Sequence, residues 1–339
     1  MAETALHEWL QPQWQQLLRA IRQGRLPHAL LFAGPEGIGK RRLADELAAA
    51  LLCETPDGRG HACGHCTACG WLKAGSHPDL LDLQPEESGK AIKVDQVRQV
   101  CTELAMTSHG GRYKVAIVHP AEAMNVNAAN SLLKTLEEPT ANTLLLLLSA
   151  APGRLPATIR SRCQQLRFPL PATAAAVDWL QRQGVEPERA RHCLHHAGEA
   201  PLAALRLAQE DADDYEAQLG QLQQLFAGRL DPLELAREWA AGDEVPYLQR
   251  WSAWIGDLVR WRQAGRRPPD EAVVRMLQQI AETVDCRQLF LVSDRIGDAL
   301  NSIGSGLNRQ LLLEDLLISW ARMARRGDGS TRQVAGKQA

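Results

Sequence analysis

The stretch LLFAGPEGIGKRRLADELAAALL, Leu30–Leu52, limits what this chain can fold into more than any other. A short apolar run feeds into a glycine loop, and an alanine- and leucine-rich helical pattern leaves it. Strand, loop, helix is the setting in which a phosphate-binding loop is credible. The pattern G-x-x-x-x-G-K-[ST] is met by Gly34, Gly39 and Lys40, with Gly37 between them, and fails at its last position, where Arg41 replaces a hydroxyl. In a working loop the backbone amides cradle phosphates, the lysine reaches the outer ones and the hydroxyl holds Mg2+.

A second metal-holding group, an acid closing a neighbouring strand, is also required. The run VAIV ends instead in His119 and Pro120, and the nearest acid, Glu122, lies two residues beyond that proline. With both positions lost, hydrolysis is disfavoured. Three readings stay open: a retained structural turn whose glycines pack helix against strand, a nucleotide held without turnover, and an active ATPase. The Arg41 guanidinium is expected to fill the metal's place, where it could hold a phosphate or sulfate.

Eight cysteines need sorting. Cys101, Cys163, Cys193 and Cys286 are isolated and read as small buried thiols. Cys53, Cys63, Cys66 and Cys69 are clustered in CETPDGRGHACGHCTAC. In a chain without secretory features such a cluster reads as metal before disulfide. Three cysteines at two successive C-x-x-C spacings, with a fourth upstream, can close a tetrahedral zinc shell, and Gly58, Gly60 and Gly64 let the chain turn around it. Four protein ligands leave no place for water, so the zinc would be structural. His61 and His65 are alternative ligands.

Net charge is −2, so there is no bulk attraction for nucleic acid or anionic membrane. The N-terminal sequence has no basic flank before an apolar run, and no apolar stretch approaches ~20 residues. These features predict a soluble, cytoplasmic protein with no membrane contact.

At 339 residues more than one domain is expected. Short apolar runs at Asp79–Leu83, Lys114–His119, Thr143–Ala150 and Cys163–Phe168 join the first strand as candidates for a parallel sheet buried on both faces. Helical patterns separate them, notably VDQVRQVCTELAM and AANSLLKTLEE. FPLP, Phe168–Pro171, reads as a linker, and everything after it is helical in pattern. Six of the nine tryptophans lie after residue 178. The polar stretch from 327 to 339 is expected to be disordered. No internal repeat is visible.

Together, RLPHALLFAGPEGIGKRRLA, the four-cysteine insert, ANSLLKTLEEP and IRSRC resemble the delta-prime family of bacterial DNA polymerase III clamp-loader subunits. The likeness is strong to about residue 210 and looser beyond. It implies an AAA+ P-loop NTPase-like α/β domain with a five-stranded parallel sheet (1–168, zinc module 53–69). A small helical lid (169–207) and an all-α collar (208–326) would follow. It implies a stator in a hetero-pentamer with gamma/tau and delta subunits, loading the ring-shaped sliding clamp onto primer–template DNA within the DNA polymerase III holoenzyme, a DNA-directed DNA polymerase. Members of this AAA+ family carry a sensor arginine in the lid; here Pro201 stands there. The resemblance makes Arg162, in Ser161-Arg162-Cys163, an arginine finger acting in trans on a neighbour's ATP, with Arg160 able to share the task.

Two other functions are weighed. A gamma/tau-like ATPase would keep a Lys-Ser or Lys-Thr loop and an acidic second motif, which this chain lacks. A stand-alone zinc-ribbon nucleic-acid binder would interleave basic and aromatic residues around the cysteines, where only Arg59, Trp71, Lys73 and a few histidines are found.

Overall fold

Every apolar run expected to be a strand becomes one, in a single five-stranded parallel sheet. The strands are β1 (Ala29–Ala33), β2 (Leu80–Leu83), β3 (Lys114–Val118), β4 (Thr143–Ser149) and β5 (Gln164–Arg167), in the order β2-β3-β4-β1-β5. The computed structural model describes residues 6–87, 90–110, 112–209, 212–242, 244–265, 271–302 and 308–331. It divides into two compact units at Ala172 and Thr173.

In the first unit the pleat sends alternate residues to opposite faces, and helices cover both. Leu30 and Phe32 of β1, Ile117 of β3 and Leu146 of β4 pack with α1 (Gln11–Arg22) and α2 (Lys40–Leu52). Leu31, Val118 and Leu147 pack on the other side with α4 (Val94–Ala105), α5 (Val126–Glu137) and α6 (Ala157–Arg160). A short helix, α3 (Thr67–Lys73), belongs to the cysteine insert. The central strands β1, β3 and β4 are wholly buried, whereas β2 at one edge and β5 at the other are partly open.

The second unit is all-helical: α7 (Thr173–Arg182), α8 (Pro187–His196), α9 (Pro201–Gln209), α10 (Ala212–Phe226), α11 (Pro232–Ala240), α12 (Glu244–Ala264), α13 (Glu271–Thr283), α14 (Cys286–Ser302) and α15 (Arg309–Thr331). The stretches expected as lid (169–207) and collar (208–326) fall, from Thr173 on, within this one unit. The late tryptophans explain its core: Trp239, Trp251, Trp254 and Trp320 are buried, and the Trp251 and Trp320 rings meet edge to face at 5.4 Å. Trp320 also donates its indole N–H to the Leu222 carbonyl at 3.1 Å. α15 continues to Thr331, so the first five residues of the expected disordered tail are helical; 332–339 lie outside the described residues. Among the described residues no helix is long and apolar enough to cross a membrane.

Candidate functional site

The glycine loop sits where β1 hands over to α2. Gly37 and Gly39 adopt φ of 73° and 97°, the left-handed region that favours glycine, and Gly39 is the residue from which α2 starts. Gly34 is required for a different reason: a Cβ there would lie 2.5 Å from the Phe168 carbonyl oxygen and 2.7 Å from its Cβ. The backbone after β5 therefore passes directly over the loop.

Lys40 is 5% exposed, and its ammonium donates to the carbonyls of Gly34 and Pro35 at 2.6 and 2.7 Å. The lysine folds back to satisfy its own loop. Burial lowers its pKa, against the opposing pull of Glu122 and Glu36. From outside, the Trp9 indole N–H donates to the Ile38 carbonyl at 2.9 Å.

Arg41 does not fill the metal's place. Its fork donates to both carboxylate oxygens of Asp82, each at 2.9 Å, and its Nε donates to Asp45 at 2.8 Å. The guanidinium ties α2 to the edge strand β2 and is occupied there, so the expectation that it replaces the ion and holds a phosphate is corrected. His119 does stand at the end of β3, and burial together with Arg41 and Lys40 depresses its pKa, which keeps the imidazole neutral. Glu122 is engaged too: one carboxylate oxygen accepts from the Ala150 and Ala151 amides at 2.9 and 3.1 Å, just beyond β4. Pro201 opens α9, where a proline costs no hydrogen bond.

The four clustered cysteines converge. Cys53 caps the C-terminus of α2, and Cys66 is the N-cap of α3, its sulfur accepting from the Cys69 amide. The four sulfurs all lie within 4.8 Å of one another, with Cys53–Cys66 at 3.8 Å and Cys63–Cys69 at 3.9 Å. Zn–S bonds of about 2.3 Å at tetrahedral angles give S···S edges of about 3.8 Å, so the donor set can hold a metal ion of that size. The Cys63, Cys66 and Cys69 amides each point at a neighbouring cluster sulfur, at 3.2, 3.4 and 3.5 Å.

The two histidines have other tasks. His61 pairs with Glu46 at 2.6 Å and stacks on Trp14 at 5.0 Å, joining the insert to α1 and α2. His65 meets the Cys63 carbonyl at 2.9 Å. Neither belongs to the converging group.

Arg162 lies between α6 and the edge strand β5, with its side chain 36% exposed. One Nη donates to the Thr158 carbonyl at 3.0 Å, and the other pairs with Glu137, the last residue of α5, at 2.6 Å. Arg160 is exposed at the end of α6. Sequence reasoning foresaw the exposed arginine but neither the Glu137 pair nor the Asp82 pair. No local spacing marks either carboxylate.

Comparison with known proteins follows the same division. Residues 9–172 match the family described as DNA polymerase III, delta subunit, and residues 209–322 match its C-terminal counterpart. The chain is 40% identical to DNA polymerase III subunit delta' of Pseudomonas aeruginosa over 322 residues, covering 91% of this chain and 97% of that protein. It is 33% identical to the Escherichia coli K12 subunit delta' over 319 residues, 92% of this chain and 94% of that protein. It is 29% identical to DNA polymerase III subunit tau of Salmonella typhimurium over 314 residues, 91% of this chain but 41% of that protein. Among solved structures, a gamma subunit-related protein of Thermotoga maritima is similar at a TM-score of 0.40 and 18% identity, over 91% of this chain and 100% of that one. Identity sustained at this level across both units makes the chain a member of the DNA polymerase III subunit delta' family.

Proposed function

We propose that this chain is a nucleotide-silent stator of a cytoplasmic clamp loader, assembling with gamma/tau and delta subunits to place a sliding clamp on primer–template DNA. The observation that carries the reading is the occupied loop. Lys40 is spent on Gly34 and Pro35, Arg41 on Asp82 and Asp45, and the end of β3 offers a neutral histidine in place of an acid. Such a loop keeps the architecture of a nucleotide site without the groups that would bind Mg2+ or polarise a phosphate.

The chain acts instead on ATP bound elsewhere, through Arg162. That residue precedes an edge strand, where an adjoining subunit can approach, and its guanidinium can neutralise charge developing on a transferred phosphoryl group. The same assembly includes a structural zinc held by Cys53, Cys63, Cys66 and Cys69. The ion would fix the chain between α2 and α3, and four thiolate ligands leave it no open position for chemistry.

Reconstitution tests the proposal. Mixed with gamma/tau and delta, the purified chain should elute as a defined pentamer. Arg162→Ala should still assemble yet lower clamp-stimulated ATP hydrolysis and clamp loading. Trans-acting arginines are worth ~10³–10⁵ at a single site; the loss here should be smaller, because the other sites do not depend on this residue. Arg162→Lys should rescue poorly, since a point charge lacks the planar fork. Normal loading by an assembled Arg162→Ala complex overturns the finger role.

A further inference from the structure

The Arg162 guanidinium is already engaged inside its own chain. Its Nη2 lies 2.6 Å from the Glu137 carboxylate, and its Nη1 donates to the Thr158 carbonyl at 3.0 Å. Both contacts are at element ends. Glu137 closes α5, where the helix dipole disfavours a negative charge and a cation is welcome. Thr158 O is one of the last carbonyls of α6, which the helix itself cannot satisfy. Ser161, beside it, turns its hydroxyl to the same carbonyl at 3.1 Å. Arg162 is thus held in one orientation by two close acceptors, the charged Glu137 and the neutral Thr158 carbonyl, with the Ser161 hydroxyl oxygen a longer neutral contact at 3.5 Å.

The two acceptors differ in what they do to an incoming triphosphate. The Thr158 carbonyl orients the fork and leaves its charge unspent. The Glu137 carboxylate is a competitor, because its anionic oxygen accepts the charge-assisted hydrogen bond from Nη2 that a phosphate oxygen would accept. We propose that Glu137 is the resting acceptor of Arg162, a positioning residue that holds the finger against the end of α5 and releases it to a neighbouring subunit's ATP. The inference rests on the finger reading above.

The geometry sets how strong such a latch is. Arg162 is 36% and Glu137 51% exposed, so water can replace either partner. Pairs of that exposure bias an equilibrium by roughly two- to fivefold. That holds the arginine in place before assembly and is small beside what a triphosphate carrying several negative charges offers. In the exchange one anion leaves the fork as another arrives.

The test is a double-mutant cycle in the reconstituted complex, read as ATP hydrolysis with and without clamp. Glu137→Gln keeps the shape of the side chain and removes its charge. It should raise clamp-independent hydrolysis about two- to fivefold and reduce the ratio by which clamp stimulates it. In an Arg162→Ala background the same substitution should change nothing, a coupling that a merely structural Glu137 would not show. If Glu137→Gln matches or falls below the parent while Arg162→Ala is slow, the latch is wrong and the finger stands. If Glu137→Gln acts equally in both backgrounds, it works by another route and the latch is again wrong. If Arg162→Ala hydrolyses and loads at the parental rate, latch and finger fall together. Glu137→Ala serves as a second variant, with the same directions expected.

Discussion

Arg41 grips Asp82 with both ends of its guanidinium, each at 2.9 Å. The contact joins the first turn of α2 to the edge strand of the sheet. It stands at the position where a phosphate-binding loop needs a hydroxyl, so the substitution does more than delete a metal ligand. It redirects that residue from the loop to the body of the domain. Lys40, one residue earlier, has turned the other way, into the loop. Two adjacent cations are thus neutralised or satisfied without any nucleotide.

Restoring the loop sequence should therefore not restore an ATPase. We expect the isolated chain and its Arg41→Thr variant both to lack turnover in a sensitive phosphate-release assay. Arg41→Thr should also cost at most about 0.5–1 kcal/mol of stability, since both partners of the Asp82 pair are about one-third exposed. Phosphate release by the unaltered chain that Lys40→Ala abolishes would contradict the silent-loop reading.

Gly34 separates packing from ligand binding. Its substituent would collide with the Phe168 backbone, which cannot swing aside as a side-chain tip can. Gly34→Ala should lower stability by about 1–3 kcal/mol, the usual range for an overpacked core, in the complete absence of nucleotide. A thermal melt that matches the parent would show that the close approach of the Phe168 backbone is not what requires the glycine.

Purified without added metal, the chain should carry close to one zinc per molecule by elemental analysis. Cys66→Ser removes a sulfur ligand, while its hydroxyl can still accept from the Cys69 amide and cap α3. It should expose the segment from Cys53 to Lys73 to proteolysis while the parallel sheet stays folded. The buried residues of the core of α1, α2 and β1 lie outside the insert, which meets it through Leu72 and the His61–Trp14 stack. Less than about a tenth of an equivalent of zinc, with no uptake by the reduced protein, would end the assignment.

Much of the first unit could be read directly. Buried parallel strands are nearly continuous apolar runs, and β3 and β4 show this as KVAIV and TLLLLLS. The limits of α2 match its sequence pattern because Gly39 starts it and Cys53 leaves it. α5 begins two residues before the AANSLLKTLEE pattern, because Asn125 caps it through the Ala128 amide at 2.8 Å. The partners of Arg41, Arg162 and His195 could not be read. Asp82 is 41 residues from Arg41 and Asp257 is 62 from His195, and such pairs are set by how distant elements are placed in the tertiary fold. Charged positions, whether exposed like Arg162 or buried like Asp257, are not marked by a hydrophobic period, so their pairing leaves no trace in the pattern.

His195 and Asp257 carry the last prediction, within the second unit. Asp257 of α12 is 3% exposed and lies 2.7 Å from His195 Nε2 of α8. Arg260, one turn along α12, shares the same carboxylate oxygen. The hydrogen bond that His195 donates to Asp257 raises the His195 pKa, with the Asp257 and Glu199 charges assisting and burial and Arg260 opposing. Burial alone would push the Asp257 carboxyl up, but His195 and Arg260 outweigh it and the pKa falls, with the His196 charge adding to the lowering. The signs follow from linkage. A raised histidine contributes stability that is complete below its ordinary pKa near 6.5 and fades as pH climbs through the raised value. A lowered carboxylate contributes above its ordinary pKa near 3.9 and loses this as pH falls through the depressed value. The pair is therefore strongest between roughly pH 4 and 6.5. His195→Gln keeps a neutral donor and cannot charge. Comparing its melting temperature with the parent's at each pH cancels the titrating groups that do not sense His195; Asp257 does sense it, but titrates well below this pH range. The parent should lead by ~2–4 °C near pH 6, the shift that about 1 kcal/mol produces in a unit of this size. The lead should shrink toward zero by about pH 9, once His195 has lost its proton. A gap that stays constant from pH 6 to 9 would mean that packing, not the charged hydrogen bond, holds α8 to α12.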